Sequence, residues 1–174
     1  MLKTKFTSYI IGFLLFAVTS VFSQIPNYVP QNGLQGWWPF SGNANDLSPG
    51  AHNGTVNGAV LTLDRFGVIN SAYSFNNSSS SITTEWPCFQ GNSPRSTSIW
   101  FQSDIPVTGQ NTELALFAWG SNAPGETFAI VMFEGNRIGV DVNSSYVVFN
   151  PGTIGDWHHL VVTYDPINGS NVLV

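Results

Sequence analysis

The chain has little cysteine and little charge. Among its 174 residues there is one cysteine, Cys88, and only 9% of the residues are Asp, Glu, Lys or Arg. A single cysteine excludes an intrachain disulfide, so the fold must be stabilised by an apolar core or by a metal. Beyond residue 23 the chain also lacks any long stretch with a helical period, which argues against a helical domain.

Positive charge is the scarcest property. Both lysines, Lys3 and Lys5, lie at the N-terminus, so the rest of the chain carries three arginines against ten acidic residues, a net charge of −7. Nucleic acids and anionic membranes are bound by clustered cations, and this balance therefore argues against both as partners. A sugar, a cation or another protein is compatible with it.

Residues 1–23 have the pattern of a signal peptide. A basic start is followed by an almost uninterrupted apolar stretch at 10–18 and by the cleavage pattern Val21-Phe22-Ser23. We predict cleavage after Ser23, a secreted or cell-surface protein, and no membrane insertion afterwards. The alternative, an N-terminal membrane anchor, is disfavoured because the apolar stretch is shorter than the roughly 20 residues that a spanning helix needs.

The rest of the chain is predicted to be all-β. Short runs rich in Val, Ile, Phe, Tyr, Trp and Thr alternate with clusters of Gly, Asn, Pro and Ser, a pattern typical of a β-sandwich or barrel. The predicted strands lie at 34–40, 54–63, 71–75, 80–84, 96–103, 113–120, 126–134, 137–142, 145–149 and 157–165. Gly135-Asn136 is predicted to form a two-residue hairpin turn.

Three segments together resemble one known family. They are GLQGWWPFSGNANDLSPGAHNGTVNGAVLTLDRFG at 33–67, SAYSFNNSSSSI at 71–82 and GDWHHLVVTYDPINGSNV at 155–172. Their succession resembles the laminin-G-like (LamG) domain of the concanavalin A-like lectin/glucanase superfamily, in the form common on bacterial extracellular proteins. The resemblance implies an antiparallel jelly-roll β-sandwich, whereas the binding function is less specific because one fold serves many uses.

The resemblance also sets the expected domain limits. Residues 24–32 read as a polar, proline-bearing lead-in, and 33–174 as the LamG-like domain. A new strand begins at Asn171 and stops at Val174 inside an apolar run, whereas the family continues with further strands. The domain is therefore expected to be truncated at its C-terminus, with an unpaired edge.

The acidic residues do not form the compact catalytic motif of the superfamily's glucanases. Retaining glycoside hydrolysis needs two carboxylates about 5 Å apart, which those enzymes place at alternating positions of one strand. Here the closest two acids in sequence, Glu134 and Asp141, are seven residues apart. Cys88 beside His158 or His159 resembles no cysteine-hydrolase signature, and the two adjacent histidines of one strand face opposite sides. A non-catalytic protein is therefore expected.

The loop at 41–46 is a candidate calcium site. Ca²⁺ takes six to eight oxygen ligands, and the loop offers amide carbonyls from Asn43 and Asn45 and the carboxylate of Asp46. Lectin-like domains often hold a structural calcium near such a loop, so the resemblance raises this expectation. The alternative is that the three side chains simply form Asx turns, and the sequence leaves both interpretations open.

A sugar-binding site is expected around Trp86. Sugar rings stack on exposed aromatic faces beside polar groups. Trp86 lies in a loop where no strand period requires an aromatic residue, and the same loop supplies Phe89 and Asn92, while Trp37 points away from the predicted core. The alternative is that Trp86 folds back as a packing residue. The tryptophans assigned to the core are Trp38, Trp100, Trp119 and Trp157.

The sequence thus predicts a secreted, non-catalytic recognition module that binds extracellular carbohydrate, either for adhesion or as the accessory domain of a polysaccharide-acting protein. A different class of function, a structural or protein-interaction spacer in a surface protein, explains the aromatic residues equally well. Part of a glycoside hydrolase ranks third. Residue Trp86 separates the first two, since a glycan binder needs it for affinity and a spacer needs it for stability.

Overall fold

A computed structural model describes residues 24–76, 79–86, 89, 93–104, 113–120, 127–142, 145–150, 155–165, 167 and 169–173. These residues form an all-β structure in which every strand pairing is antiparallel. The strands are β1 (Thr55–Asn57), β2 (Val60–Thr62), β3 (Ala72–Ser74), β4 (Ser81–Thr83), β5 (Arg95–Gln102), β6 (Glu113–Trp119), β7 (Phe128–Phe133), β8 (Arg137–Val142), β9 (Ser145–Phe149), β10 (Trp157–Asp165) and β11 (Gly169–Leu173).

Two larger sheets make up the second half of the described chain. One is a four-stranded meander in the order β6-β7-β8-β9, and the other has three strands in the order β11-β10-β5. In the second sheet β5 pairs with β10 along its whole length, from Arg95 opposite Tyr164 to Gln102 opposite Trp157. A long-range pairing of this kind brings together two strands that lie far apart in the sequence.

The apolar core lies between these two sheets. Period-2 alternation turns one face of each strand inward, and the buried residues of both sheets form one cluster, which is consistent with a β-sandwich. Its members are Phe101, Phe128, Ile130, Met132, Ile138, Val140, Leu160, Val162 and Tyr164. With no intrachain disulfide available, burial of these side chains is the main source of stability.

Smaller β-structures precede this core. Strand β1 pairs with β4, and β2 pairs with β3. The predicted strand at 54–63 is interrupted between β1 and β2, because Gly58 has a φ of +67° and the following Ala59 is buried. A positive φ is not compatible with a continuous strand, and glycine adopts it without a steric penalty.

The predicted strand at 34–40 does not form. Its backbone groups instead bond across to the next loop: the Trp37 N–H donates to the Asp46 carboxylate, and the Trp37 carbonyl accepts from the Leu47 N–H. Phe40 has a φ of +56°, which lies outside the extended region and ends the run. The apolar alternation correctly indicated packing, since the Phe40 ring meets Tyr73 edge to face. It did not indicate a strand with ladder hydrogen bonds.

The hairpin between β7 and β8 is one residue longer than expected. Phe133 pairs directly with Arg137, so the connection comprises the three residues Glu134–Asn136 in a 3-10 turn. Gly135 and Asn136 have φ values of +76° and +58°, and glycine and asparagine are the residues that tolerate this region best. The predicted turn position is therefore confirmed, with a different loop length.

The described residues contain no helix with the length and apolarity that a membrane crossing would require.

Removing a core side chain should destabilise the protein strongly. Leu160 is completely buried between the sheets, so Leu160→Ala is expected to lower the free energy of unfolding by about 2–5 kcal/mol through lost burial and a residual cavity. The matched control is Leu114→Ala on β6, because Leu114 is 47% exposed; its expected change is within about 0.5 kcal/mol. Urea unfolding followed by tryptophan fluorescence measures both. Equal losses for the two variants would contradict this position of the core.

Candidate functional site

Asp46 is the centre of a hydrogen-bonded loop. Its side chain is buried, with 4% exposure. Oδ1 accepts hydrogen bonds from the backbone N–H groups of Trp37 (2.7 Å) and Ser48 (2.8 Å). Oδ2 lies 2.8 Å from both the Ser48 hydroxyl and the His52 backbone N–H, and each donates to it. One carboxylate therefore satisfies donors from three separate points of the loop, in a region where no strand ladder does so.

The same contacts control the ionisation of Asp46. Burial by itself would raise the pKa of this carboxyl, but the backbone N–H groups of Trp37, Ser48 and His52 and the Ser48 hydroxyl stabilise the charged form, and together they lower the pKa below its ordinary value of 3.8. Hydrogen bonds to an ionised group are stronger than those between neutral groups. The loop is thus held by a carboxylate that stays ionised down to acidic pH.

This geometry bears on the predicted calcium ligands. Asn43 accepts a hydrogen bond from the Asn45 backbone N–H at 2.9 Å, and Asp46 accepts one from Ser48 two residues ahead, so both form Asx turns. An ionised carboxylate has about four lone-pair sites, and all four of those on Asp46 face donors. Among the described residues no three His, Cys, Asp or Glu side chains form a metal-binding group. The arrangement favours the Asx-turn interpretation, and the calcium site stays a prediction.

The Asp46 loop places His52 against Trp86. The imidazole and the indole are stacked, with ring centroids 4.6 Å apart and an angle of 5° between their planes. Trp86 also meets Phe89 edge to face at 5.4 Å, and Phe89 meets Trp119 at 6.4 Å. Trp119 in turn stacks on the buried Phe128 at 4.2 Å. A continuous line of rings therefore joins the Asp46 loop to the core.

The position of Trp86 differs from that of a free platform. It is half-buried and one face of its indole is partly covered by His52, so only the remaining surface is open to a ligand. Trp37 is also half-buried, and its indole N–H is buried with no partner among the described residues. Asn92 and Cys88 lie outside the described residues. The carbohydrate-binding role of Trp86, Phe89, Asn92 and Trp37 stays a prediction.

The two adjacent histidines lie on opposite faces of β10, as their alternation predicts. His158 lies against the core residue Phe101, with ring centroids 5.5 Å apart. His159 is exposed and stacks on Trp100 at 4.6 Å, and its Nε2 lies 2.8 Å from the Ser98 hydroxyl. Because the rings are separated by the sheet, they cannot share a metal ion.

The outward face of β5 and β10 carries an aromatic residue that sequence reasoning assigned to the core. Trp100 is 43% exposed. It alternates with the inward Phe101 and is in phase with the exposed polar residues of β5, which are Ser96, Ser98 and Gln102. The sequence contains this alternation with polar residues, but the apolar run Ile99-Trp100-Phe101 makes it hard to recognise. On β10 the facing residues are Trp157, His159, Val161 and Thr163, which lie opposite Gln102, Trp100, Ser98 and Ser96.

No protein-family model, curated protein or solved structure matches this chain.

Replacing Asp46 should loosen the loop. Asp46→Asn removes the negative charge and turns an amide group toward donors, so the free energy of unfolding at neutral pH is expected to fall by about 1–3 kcal/mol. Because the folded pKa of Asp46 lies below its unfolded value, this contribution is complete above the unfolded value of 3.8 and is lost as the pH falls through the folded pKa. Urea unfolding from pH 7 to pH 2 should show the two proteins converging at acidic pH.

Asp104→Asn is the matched control for this charge change, since Asp104 is exposed, and its effect should be within about 0.5 kcal/mol. A constant difference between Asp46→Asn and the unmodified protein at all pH values would show that the ionised carboxylate is not the source of the stability. Adding EDTA in the same urea assay at pH 7 tests the calcium prediction, because a lower free energy of unfolding in EDTA is expected only if a metal is bound.

Replacing Trp86 separates packing from ligand binding. If the ring line is structural, Trp86→Ala lowers the free energy of unfolding by about 1–3 kcal/mol, less than for a fully buried tryptophan. His52→Ala should then lose part of the same energy, and the double variant should be less unstable than the sum of the two single variants. Unchanged stability together with weaker glycan binding would instead establish Trp86 as the sugar platform that the sequence predicts.

Proposed function

We propose that the protein is a secreted, non-catalytic recognition module that binds extracellular carbohydrate, as an adhesion module or as the accessory domain of a polysaccharide-acting protein. In this proposal residues 1–23 are a cleaved signal peptide, and the antiparallel sheets belong to a LamG-like jelly-roll sandwich. The three sequence segments that resemble that family support the fold assignment. The outward face of β5 and β10 supports the binding function.

The indole of Trp100 carries the proposal, because it remains 43% exposed although His159 stacks on it and Arg65 lies over its ring. Trp100 lies on a regular sheet beside the hydroxyl, amide and imidazole groups of Ser98, Gln102 and His159, and the Arg65 guanidinium carbon lies 4.5 Å from its ring centroid. A pyranose has apolar C–H faces and a rim of hydroxyls, so it matches an aromatic edge with polar neighbours. The open, even surface of a sheet suits a polymer lying along it better than it suits a small ligand, which needs a concave pocket.

The polar neighbours keep hydrogen-bonding capacity for such a ligand. The Ser96 and Thr163 hydroxyls lie 3.2 Å apart across the strands, and the Ser98 hydroxyl pairs with His159. A hydroxyl has one donor and two acceptor sites, so each of these pairs leaves at least one site unused. The cross-strand bonds also fix the side chains, which reduces the entropy lost when a sugar binds.

Trp100→Ala tests the proposal. A glycan array first identifies a ligand, and titration calorimetry then compares the unmodified protein with this variant. The expected result is an affinity lower by about tenfold or more, the effect of losing an aromatic anchor. Since Trp100 is largely outside the core, its removal should leave cooperative unfolding intact. Tyr28→Ala is the control, because Tyr28 is an aromatic residue that is 79% exposed and lies in neither candidate site, and it should retain the affinity. The absence of any bound glycan, with and without calcium, would overturn the proposal, as would unchanged binding by Trp100→Ala.

A second function, a protein-interaction module of a surface protein, is favoured by one observation. The loop between β2 and β3 exposes Phe66 (74%), Ile69 (73%), Leu63 (52%) and Val68 (51%), and contiguous exposed apolar residues are typical of protein contacts. Replacing Ile69 with Ser would weaken a protein contact and leave glycan binding unchanged. A glycoside hydrolase ranks third, and release of reducing sugar from β-glucans would support it.

A further inference from the structure

Arg65 is held in an unusual position for a surface arginine. Its guanidinium carbon lies 4.3 Å from the centroid of the Phe66 ring and 4.5 Å from that of the Trp100 ring, so it contacts two aromatic rings at once. Both rings are exposed, by 74% and 43%. A guanidinium is planar, and contact with ring faces leaves the N–H donors at its edge available for bonds in its own plane.

The loop that carries Arg65 has a fixed shape. The Asp64 carboxylate accepts hydrogen bonds from the backbone N–H groups of Phe66 (2.9 Å) and Val68 (2.8 Å). The Asp64 N–H and carbonyl bond to the Val68 carbonyl and the Gly67 N–H, and Gly67 has the positive φ that this tight turn requires. The backbone that presents Arg65 is therefore ordered before any ligand arrives, which lowers the entropic cost of binding.

No anion of the described chain pairs with Arg65. It makes neither a hydrogen bond nor an ion pair with any described residue, and its neighbour Asp64 uses its carboxylate oxygen to bond the loop backbone. Arg137 is different, because its Nε donates to the Glu134 carbonyl at 3.0 Å. An exposed arginine that is held by rings and has no counterion among the described residues is a positioned donor for an external anion.

The surroundings of Arg65 indicate the kind of anion. Trp100, which Arg65 contacts, lies among the polar side chains on the outward face of β5 and β10, here called the polar row: Ser96, Ser98, Gln102, His159 and Thr163. His159 stacks on the indole and pairs with the Ser98 hydroxyl. If the anion is the acidic group of a sugar chain, the sugar hydroxyls would lie over the polar row and the acidic group would lie at Arg65. The planar guanidinium edge matches a carboxylate with two parallel hydrogen bonds.

We propose that Arg65, Phe66 and Trp100 form a subsite for the carboxylate of a uronic acid within an acidic polysaccharide. Phe66 contributes the open face of its ring to the apolar side of the sugar, and Arg65 supplies the charge-assisted hydrogen bonds. This inference rests on the proposed carbohydrate-binding function and specifies the class of glycan. It makes the charge of the sugar, and not only its shape, part of the recognition.

Titration with polygalacturonate and with alginate tests the subsite, using the unmodified protein, Arg65→Gln and Arg137→Gln. Both variants remove one positive charge from an arginine that lies over an aromatic ring, since Arg137 is 4.5 Å from the Phe133 ring. Arg65→Gln should bind an acidic polymer about tenfold more weakly, whereas Arg137→Gln should stay within about twofold. Arg65→Lys should give an intermediate affinity, because it retains the charge and loses the fork. Thermal unfolding confirms that each variant is folded.

Chemically matched ligands separate the carboxylate from other groups. Methyl-esterified polygalacturonate keeps the sugar and removes the charge, so the unmodified protein should bind it as weakly as Arg65→Gln binds the free acid. The carboxylate assignment is wrong if the ester binds equally well, or if dextran sulfate alone binds. If polyglutamate binds as tightly and with the same dependence on Arg65, the surface recognises an acidic protein instead.

The failure of this inference can be told apart from the failure of the proposed function. Binding of a neutral glycan through Trp100, with no affinity for either uronate polymer or no effect of Arg65→Gln, would overturn the uronate subsite alone. Binding of no glycan, neutral or acidic, would overturn both. An equal loss of affinity in Arg65→Gln and Arg137→Gln would show that only the net charge of the protein matters, and it would also overturn the subsite.

Discussion

The apolar layer between the two larger sheets is the constraint on which the rest of the structure depends. One thiol cannot form an intrachain disulfide, so the pairing of β5 with β10 must be stabilised by what it buries. Leu160 and Val162 point into the layer, and the alternation of a strand then forces their neighbours outward. A register shift of one residue would exchange the two faces. The exposure of Trp100 and His159 is therefore a consequence of the same pairing that builds the core.

Asp46 plays a comparable part where no sheet is available. The loop around it is rich in Gly, Asn and Ser and buries few apolar side chains, so backbone hydrogen bonding must hold its shape. A single buried carboxylate accepts from three backbone N–H groups and one hydroxyl. This fixes His52, and the stacked rings of His52 and Trp86 extend the loop's order toward Trp119 and the core. Aromatic contacts thus connect the hydrogen-bonded Asp46 loop to the apolar layer between the sheets.

The parts of the fold that local pattern determines could be predicted from the sequence. The bounds of β8, β9 and β10 agree with the predicted strands at 137–142, 145–149 and 157–165, because alternation and turn residues are local signals. The segment 34–40 could not be predicted in the same way, since an acidic side chain nine residues after Trp37 takes the donor that a strand partner would have used. The amino-acid pattern records the apolar residues but not that competition.

The candidate site was harder to predict, for a related physical reason. Trp86 was recognised as a loop aromatic, but its partner His52 lies in another loop, and stacking across loops leaves no periodic signal. Trp100 was assigned to the core because it lies inside a regular strand pattern, although its phase along β5 with Ser98 and Gln102 places it on the outward face. Arg65 reaches Trp100 only because the β2–β3 loop lies beside the sheet. Contacts between elements depend on how those elements are arranged, and one chain's sequence carries little information on that arrangement.

For an acidic protein to bind an acidic polymer, attraction at contact distance must outweigh the repulsion between the two net charges at longer distance. Without residues 1–23 the chain carries a net charge of −7. Beyond a Debye length of about 8–10 Å at moderate ionic strength, this charge repels a polyanion only weakly, because salt screens it. A charge-assisted pair at Arg65 acts within contact distance, where the ring faces exclude part of the water and screening is smaller. Such a surface would bind a carboxylate presented by a sugar that also fits Phe66 and Trp100 more tightly than negative charge that makes no contact with Arg65. The scarcity of cations then increases selectivity, since the only other arginines are Arg95, which is buried, and Arg137, which donates a hydrogen bond to the Glu134 carbonyl.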